Sequence, residues 1–459
     1  MAESNLITIF EHQAIPYQSL GLPTNDPLLD TLERLNQNAG KEIIQLQRNG
    51  LRATQYVGVI QAGARIIQIL PKIDCDPDGR AEAPDGSMAH DLAANSAARN
   101  FMHLLSLAHR MKVDPQAVAS LRTSRGSWLE MLTHLFAIEL LKELQQGFHQ
   151  DYVRREEMLP YIRGRWNIAR QFIHQPNLAQ GLDVSYDDYS PDTLLNRVFH
   201  LAVERLQFVA RNPQTRQMLA NLKTWLLPVQ LPAQVTTEDL DRIEFTRLNE
   251  RFQPAFRLAR LFLEGQTVLL LAGGQRAYAF VFDMNTLFEQ FVASLLQTQA
   301  RRILPEAWAG SQIELQGGKP NKYLIQSPNP AEDPLFHLKP DILLKLIGSP
   351  YLIIDTKNKA LPLKQPYRAV AEADAYQMLA YAIQFRCSDI ILLYPRTYGA
   401  APSDPYTLSI VGASIRFFVA TLDLHQPLEH LDTLIREFRG ILEYINLHER
   451  TRLEAVWPT

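Results

Sequence analysis

At 459 residues the chain is too long for one compact core and long enough for two or three domains. With 46% hydrophobic and 21% charged residues it has the balance of a globular protein, which excludes a disordered or fibrous chain. A net charge of -3 excludes a global basic field, so any nucleic-acid contact has to come from local basic patches or from a partner.

The first segment reads as β. Leu6 to Phe10 is a short apolar strand, and Tyr56 to Ile60 with Arg65 to Leu70 reads as a hairpin ended by Pro71-Lys72. Asp74 to Gly86 is rich in Asp, Pro and Gly and reads as an exposed loop. A helical region follows: Phe101 to His109, Trp128 to Leu144, and Leu194 to Val209 behind the start signal Pro191-Asp192-Thr193. Arg242 to Phe262 is a further helix candidate in which Pro254 predicts a kink or a split, and Gly273-Gly274 reads as a hinge.

The last segment alternates differently. A helix is expected from Thr286 to about Arg301, a strand at Leu338 to Leu346, a turn at Gly348-Ser349-Pro350 and a strand at Tyr351 to Lys357. A helix over Ala369 to Arg386 and a strand over Asp389 to Tyr394 complete a small mixed sheet flanked by helices.

Cys75 and Cys387 are too far apart for a CxxC knuckle and give no disulfide framework, so a reducing cytoplasm is the expected setting. The start MAESNLITIF lacks a basic stretch followed by a long apolar one, unlike a signal peptide. The longest apolar runs, such as Val268 to Ala272, are too short to span a bilayer. The histidines show no metal-ligand spacing. Gly317-Gly318-Lys319 runs into Pro320 and lacks the upstream glycine of a phosphate loop, so no nucleotide site is expected in this chain.

The chemistry concentrates in two neighbouring strands. Period-two alternation puts Asp341, Leu343 and Lys345 on one face of HLKPDILLKL, and Asp355 and Lys357 on one face of YLIIDTKNK. Pairing across the turn brings Asp341 to Asp355 and Lys357. Two carboxylates suit Mg²⁺, a hard cation that takes oxygen ligands, and an ammonium beside them can orient or deprotonate a water and stabilise developing charge. Phosphodiester hydrolysis is the reaction such a set serves. Glu289, with Val292, Ala293 and Leu296 on its helix face, is expected to point at the sheet as a third metal ligand. Gln377 and Tyr381 are adjacent on the later helix, and Gln377 is placed to hold the water or a phosphate.

A bare D-x-K recurs by chance, and its carboxylates can simply pair with lysines on a solvated face; the context of buried strands and supporting helices favours the site. Arg163 and Arg165 flank Gly164 and either contact a partner or phosphate, or pair with Glu156 and Glu157. Lys359, Lys364 and Arg368 form a basic loop that either touches a DNA backbone or a partner, or is solvated. His337 is a half-buried strand residue or a proton donor at the site's edge.

The runs FVFDMNTLFEQFV, KPDILL, LIIDTKNKA, DAYQMLAYA and ILLYP resemble the McrC family, the nuclease subunit of McrBC-type, modification-dependent restriction systems within the PD-(D/E)xK superfamily. VGVIQAGARIIQILPKI, YIRGRWN and SPDTLLNRVFHLAVERL agree upstream, so the resemblance covers most of the chain. It implies an α+β multidomain fold: a β-containing region over 1–95, a mainly helical middle over 96–275, both partner-binding, and a nuclease core over 276–459 in αβββαβ-like order. It places Asp341, Asp355 and Lys357 on the catalytic positions, Gln377 on the downstream glutamine and Glu289 on the acidic position of the LFE helix. Asn358 stands where the resemblance implies a bulky residue. The resemblance implies Mg²⁺, or Mn²⁺ in its place. It also implies an McrB-like AAA+ GTPase hexamer that binds the GTP, and double-stranded DNA carrying modified cytosine, of the 5-methylcytosine type. Two other readings remain: an adaptor that activates an AAA+ GTPase with little or no cleavage of its own, and a stand-alone RecB-like nuclease.

Overall fold

In the computed structural model the described residues run from 6 to 456, apart from 24–25, 63–64, 73–87, 110, 112–127, 175–180, 271–275, 320, 326–333, 360, 363–365, 397–399, 402, 410–414, 427 and 429. The expected loop at Asp74 to Gly86 and the hinge at Gly273-Gly274 lie outside them. The chain divides into two compact units, residues 1–125 with 267–459, and residues 126–266. The boundaries expected at 95/96 and 275/276 do not coincide with this division, because the first and last stretches of the chain share sheets and cores.

The first unit begins with β1 (Leu6–Phe10), β2 (Ala14–Pro16), α1 (Pro27–Ala39), β3 (Ile44–Gln47), β4 (Gly50–Ala53), β5 (Tyr56–Ala62), β6 (Arg65–Leu70) and α2 (Met88–Ala108). The expected hairpin is present: β5 and β6 pair antiparallel, with Ala62 opposite Arg65. β1 lies parallel on the other edge of β6. α1 starts where Asp26 accepts from Leu28 N and Pro27 needs no donor, and it ends on Gly40 in the left-handed region.

The second unit holds α3 (Trp128–Gln145), β7 (Asp151–Leu159), β8 (Arg165–Trp166), α4 (Ile168–His174), β9 (Leu182–Ser190), α5 (Leu194–Leu206), α6 (Pro213–Trp225), α7 (Thr237–Asp241) and α8 (Gln253–Glu264). α3 and α5 form where their apolar periodicity predicts, and Thr193 caps α5 through its hydroxyl on Asn196 N. Two expectations are corrected. The middle of the chain is not simply helical, since β7, β9 and β8 form an antiparallel sheet. β7 (DYVRREEML) is exposed along much of its length, so no alternation of burial marked it. Nor is 242–262 helical throughout. α8 begins at Gln253 with Pro254 in its first turn, where a missing N–H costs nothing.

The chain then returns to the first unit with β10 (Gln266–Leu270), β11 (Arg276–Asp283), α9 (Met284–Ile303), β12 (Gln312–Leu315), β13 (Lys322–Ile325), β14 (Leu335–Leu338), β15 (Ile342–Leu346), β16 (Ser349–Thr356), α10 (Glu372–Phe385), β17 (Asp389–Pro395), β18 (Tyr406–Ser409), β19 (Arg416–Leu422) and α11 (Asp432–Val456). β11 pairs antiparallel with β5, so one five-stranded sheet, β1-β6-β5-β11-β10, joins both ends of the chain. A second, six-stranded sheet runs β12-β15-β16-β17-β19-β18. Its centre is apolar on both faces: Ile342, Leu344, Ile353, Ile354, Ile390 and Ile391 are buried.

The single strand expected at Leu338 to Leu346 is two. β14 belongs to a separate hairpin with β13, and Lys339-Pro340 break the ladder before β15 begins. The turn also shifts. Leu346 pairs with Ser349, so Ile347 and Gly348 are its two central residues, at φ 51° and 78°, as a type I′ hairpin requires.

Candidate active site

Asp355 and Lys357 leave the C-terminal end of β16, the strand that runs parallel to β17 beside it. Asp355 is 1% exposed, and its Oδ2 lies 2.6 Å from Lys357 Nζ. Lys357 N donates to Leu393 O of β17 (2.9 Å), which carries the parallel ladder one residue past the strand. Lys357 Nζ also donates to Gln377 Oε1 (3.1 Å) on α10. Gln377 Nε2 donates in turn to Tyr381 Oη (2.8 Å), and that hydroxyl donates to Lys339 O (3.0 Å). The ammonium is therefore fixed from two sides, by a carboxylate on its own strand and by an amide on a helix.

Asp341 immediately precedes β15. Its Oδ2 accepts from Thr356 N and from Thr356 Oγ1, both at 2.7 Å, which ties it to the residue between Asp355 and Lys357. Glu289, in the second turn of α9, is half-buried and accepts from Gln316 Nε2. Gln316 N donates to Asp341 O (3.0 Å), so one residue, at φ 52°, touches both acidic positions. A non-glycine residue in the left-handed region is strained, and such strain collects at functional sites.

The structure thus gathers Glu289, Asp341, Asp355, Lys357 and Gln377 into one cluster. Sequence reasoning missed Gln316, Thr356 and the carbonyl of Lys339; no spacing pattern pointed to them, since Gln316 and Thr356 bond through both backbone and side chain to residues far off in sequence and Lys339 acts through its carbonyl. Other candidates fall outside the cluster. His337 is exposed and stacked on Tyr323 in the β13–β14 hairpin, with ring centroids 4.9 Å apart. Lys359 pairs with Asp374 (2.8 Å), and Lys364 lies outside the described residues. Arg163 pairs with Asp188 (2.9 Å), not with Glu156 or Glu157, and covers the Tyr186 ring. Gly164 between the two arginines sits at φ 69°, where a Cβ would meet Ser185 O at 2.5 Å.

The electrostatics follow from crowding acids in an apolar place. Burial pushes the Asp355 carboxyl up to about 7, and the neighbouring Asp341 charge adds to this against the pull of Lys357. Burial likewise pushes Glu289 up to about 7, helped by Asp341. Asp341 is raised by burial, against the hydrogen bonds from Thr356. For Lys357, burial works against the ammonium, but Asp355, Asp374 and Asp341 outweigh it and hold it charged. Three carboxylates face one ammonium, so the cluster carries excess negative potential. Among the described residues no three His, Cys, Asp or Glu side chains are already drawn into a metal cage. Lys357 lies on Asp355 Oδ2, and Glu289 is held by Gln316.

The fold and this cluster define a mixed α/β protein of more than one unit, with a carboxylate–ammonium–amide site at the strand ends of its larger sheet. The model of the family described as McrBC 5-methylcytosine restriction system component matches residues 51–395, and the chain belongs to that family. The fold is also that of a chain in the refined half-complex from the tetradecameric assembly of Thermococcus gammatolerans McrB AAA+ hexamers with bound McrC. That match has a TM-score of 0.62 and 22% identity, covering 96% of this chain and 100% of that one. The cryo-EM structure of the Thermococcus gammatolerans McrBC complex matches with a TM-score of 0.45 and 25% identity, over 65% of this chain and 88% of that one. No curated protein matches the sequence. Among the described residues no helix is long and apolar enough to cross a membrane.

Proposed function

We propose that this chain is the DNA-cutting subunit of a GTP-dependent restriction complex that acts on DNA carrying modified cytosine. The observation that carries the reading is the Asp355–Lys357 pair at the end of β16, backed by Gln377 and joined to Asp341 through Thr356. This is the residue set expected of a PD-(D/E)xK nuclease, reached by an α-β-β-β-α-β order over α9 and α10 and the sheet strands β12, β15, β16 and β17, with the β13–β14 hairpin inserted after β12.

The donor set fits Mg²⁺. Asp341, Asp355 and Glu289 offer only oxygen atoms, which hard cations prefer, and they converge in a largely buried place where a cation would offset their crowding. When bound there, Mg²⁺ supplies Lewis-acid polarisation of the phosphoryl group and a more acidic water. The chain's own residues do the rest. Lys357, kept charged, holds the attacking water by one N–H and stabilises the developing oxyanion. Gln377 and Asp355 fix its direction. Thr356 fixes Asp341, so the two acids cannot drift apart on their separate strands.

The partner we infer is an McrB-like AAA+ GTPase hexamer; the Thermococcus gammatolerans half-complex whose fold this chain shares holds McrB AAA+ hexamers with bound McrC. This chain would stimulate its GTP hydrolysis while leaving nucleotide binding to it. The deciding experiment mixes the chain with that partner, GTP and Mg²⁺ on methylated and unmethylated DNA. Cleavage of methylated DNA that vanishes in Asp355→Asn, with GTP turnover kept, supports the reading. GTP stimulation without cleavage at any Mg²⁺ concentration turns it into an adaptor, and cleavage without the partner turns it into a stand-alone nuclease.

A further inference from the structure

The turn that ends β1 reaches the strand that carries the candidate site. Glu11 and His12 form this turn, and its backbone is held at several points. Glu11 N donates to Leu70 O (2.8 Å), His12 N to Thr54 O (3.3 Å) and Gln13 N to Phe10 O (3.0 Å). Phe10 N donates to Gln13 Oε1 (2.9 Å), and His12 sits at φ 62°. From this scaffold the Glu11 carboxylate, 3% exposed, accepts a hydrogen bond from Asn358 Nδ2 at 2.9 Å. Asn358 is itself buried, at 6% exposed. His12 Nε2 lies 3.4 Å from the same oxygen of Glu11, while Glu11 Oε2 is buried with no hydrogen-bond partner among the described residues.

A buried carboxylate with one oxygen unsatisfied is costly to keep, so a leucine or methionine would serve packing better. Its position gives it a use beyond packing. Asn358 follows Lys357 directly and is the centre of a tight turn in which Lys359 N donates to Lys357 O (2.9 Å). The backbone of Lys357 is bonded to β17 on one side and passes into this turn on the other, and the side chain of that turn's central residue is bonded to Glu11.

We propose that Glu11 is a positioning residue: it holds Asn358, and through it the backbone of Lys357, so that the ammonium stays on Asp355 and Gln377. Its part in cleavage rests on the nuclease reading above, but the placement of the ammonium is a property of the chain itself. The bond spans 347 positions in sequence, so the five-stranded sheet is part of the site's geometry.

The test uses the full chain with its AAA+ partner and four variants: Glu11→Ala, Glu11→Gln, Asn358→Ala, and Glu11→Ala with Asn358→Ala. Two quantities are read. One is kcat and KM for DNA cleavage. The other is the rate at which an amine-acylating reagent modifies Lys357, followed by mass spectrometry without DNA. Glu11→Ala is expected to lower kcat about tenfold or more with KM within about twofold, because sub-ångström misplacement of a catalytic group acts on the chemical step. It should also speed modification of Lys357 severalfold. Glu11→Gln keeps an acceptor for Asn358 and should restore most of both. The double variant should be no worse than either single one, since both remove the same bond. Wild-type Lys357 reactivity in Glu11→Ala overturns the proposal, as does a Glu11→Gln variant as impaired as Glu11→Ala. Lowered thermal stability with unchanged Lys357 reactivity overturns it too. If Glu11→Ala does not fold, Asn358→Ala breaks the same bond while leaving the β1 turn intact. If the wild-type chain cuts no DNA, the nuclease reading fails, and the Lys357 modification rates still decide this one.

Discussion

Thr356 gives both its backbone N–H and its hydroxyl to Asp341 Oδ2, each at 2.7 Å, so the residue between Asp355 and Lys357 is the clasp that joins the two acidic strands. Thr356→Val removes one of these two bonds at constant shape. We expect it to lower stability by about 1 kcal/mol and to reduce cleavage, with Thr356→Ser close to the parent. Urea unfolding and single-turnover cleavage measure the two effects.

Lys357→Ala leaves Asp355 buried without its cation. The expected result is a loss of about a hundredfold or more in the cleavage rate, the scale for removing one preorganised donor from a developing oxyanion. Binding of DNA, measured by anisotropy without divalent metal, should fall far less. Equal losses in both would mean that Lys357 only holds substrate.

Tyr381→Phe removes the hydroxyl that links Gln377 to Lys339 O. Gln377 then loses the group that fixes which of its ends faces Lys357. A severalfold fall in kcat with KM unchanged is expected, and Gln377→Leu should be worse. A Gln377→Leu variant as active as the parent would remove the amide from the mechanism.

Asp192 sits on another balance. Arg197 holds its carboxyl below the usual range through a hydrogen-bonded pair, against the effect of burial and with help from Gln230 N. A carboxyl depressed in the folded state contributes stability above its unfolded value, about 3.8, and that stability is lost as pH falls through the folded value. Asp192→Asn should therefore cost stability at pH 7 and progressively less as the pH falls below 3.8, measured by denaturant unfolding at each pH.

Ile347 stands at φ 51° in the hairpin turn between β15 and β16 with its side chain 97% exposed. A β-branched residue there is strained and buries nothing in return. Ile347→Asn should raise stability by about 1 kcal/mol and leave cleavage unchanged, read as a higher melting temperature.

Much of the site was legible because its chemistry lies in local patterns. Asp355 and Lys357 are two apart on an apolar strand, Gln377 and Tyr381 are four apart on a helix, and Glu289 lies on a helix expected from Thr286 that starts two residues earlier, at Met284. What escaped notice was non-local. Glu11 gives no sign of its role until β1 is laid beside β6 and Asn358 is brought against it. Gln316 matters through its backbone conformation, which its side-chain type does not announce. The break at Lys339-Pro340 was hidden because the apolar residues on either side, Leu338 and Ile342, keep the rhythm of one strand. β7 escaped for the opposite reason: its outward charges leave no rhythm at all.

The pairing of β5 with β11 sets an order of events during synthesis. Val59 faces Phe280 in that ladder, and nearly half of the chain must leave the ribosome between the two. Until then the free edge of β5 presents unpaired N–H and C=O groups beside apolar side chains, the arrangement that invites a foreign strand. A nascent or truncated chain ending before residue 276 would expose that edge permanently. Soluble production of any N-terminal piece should therefore depend on whether it carries residues 276–283, supplied in the same chain or added as a peptide.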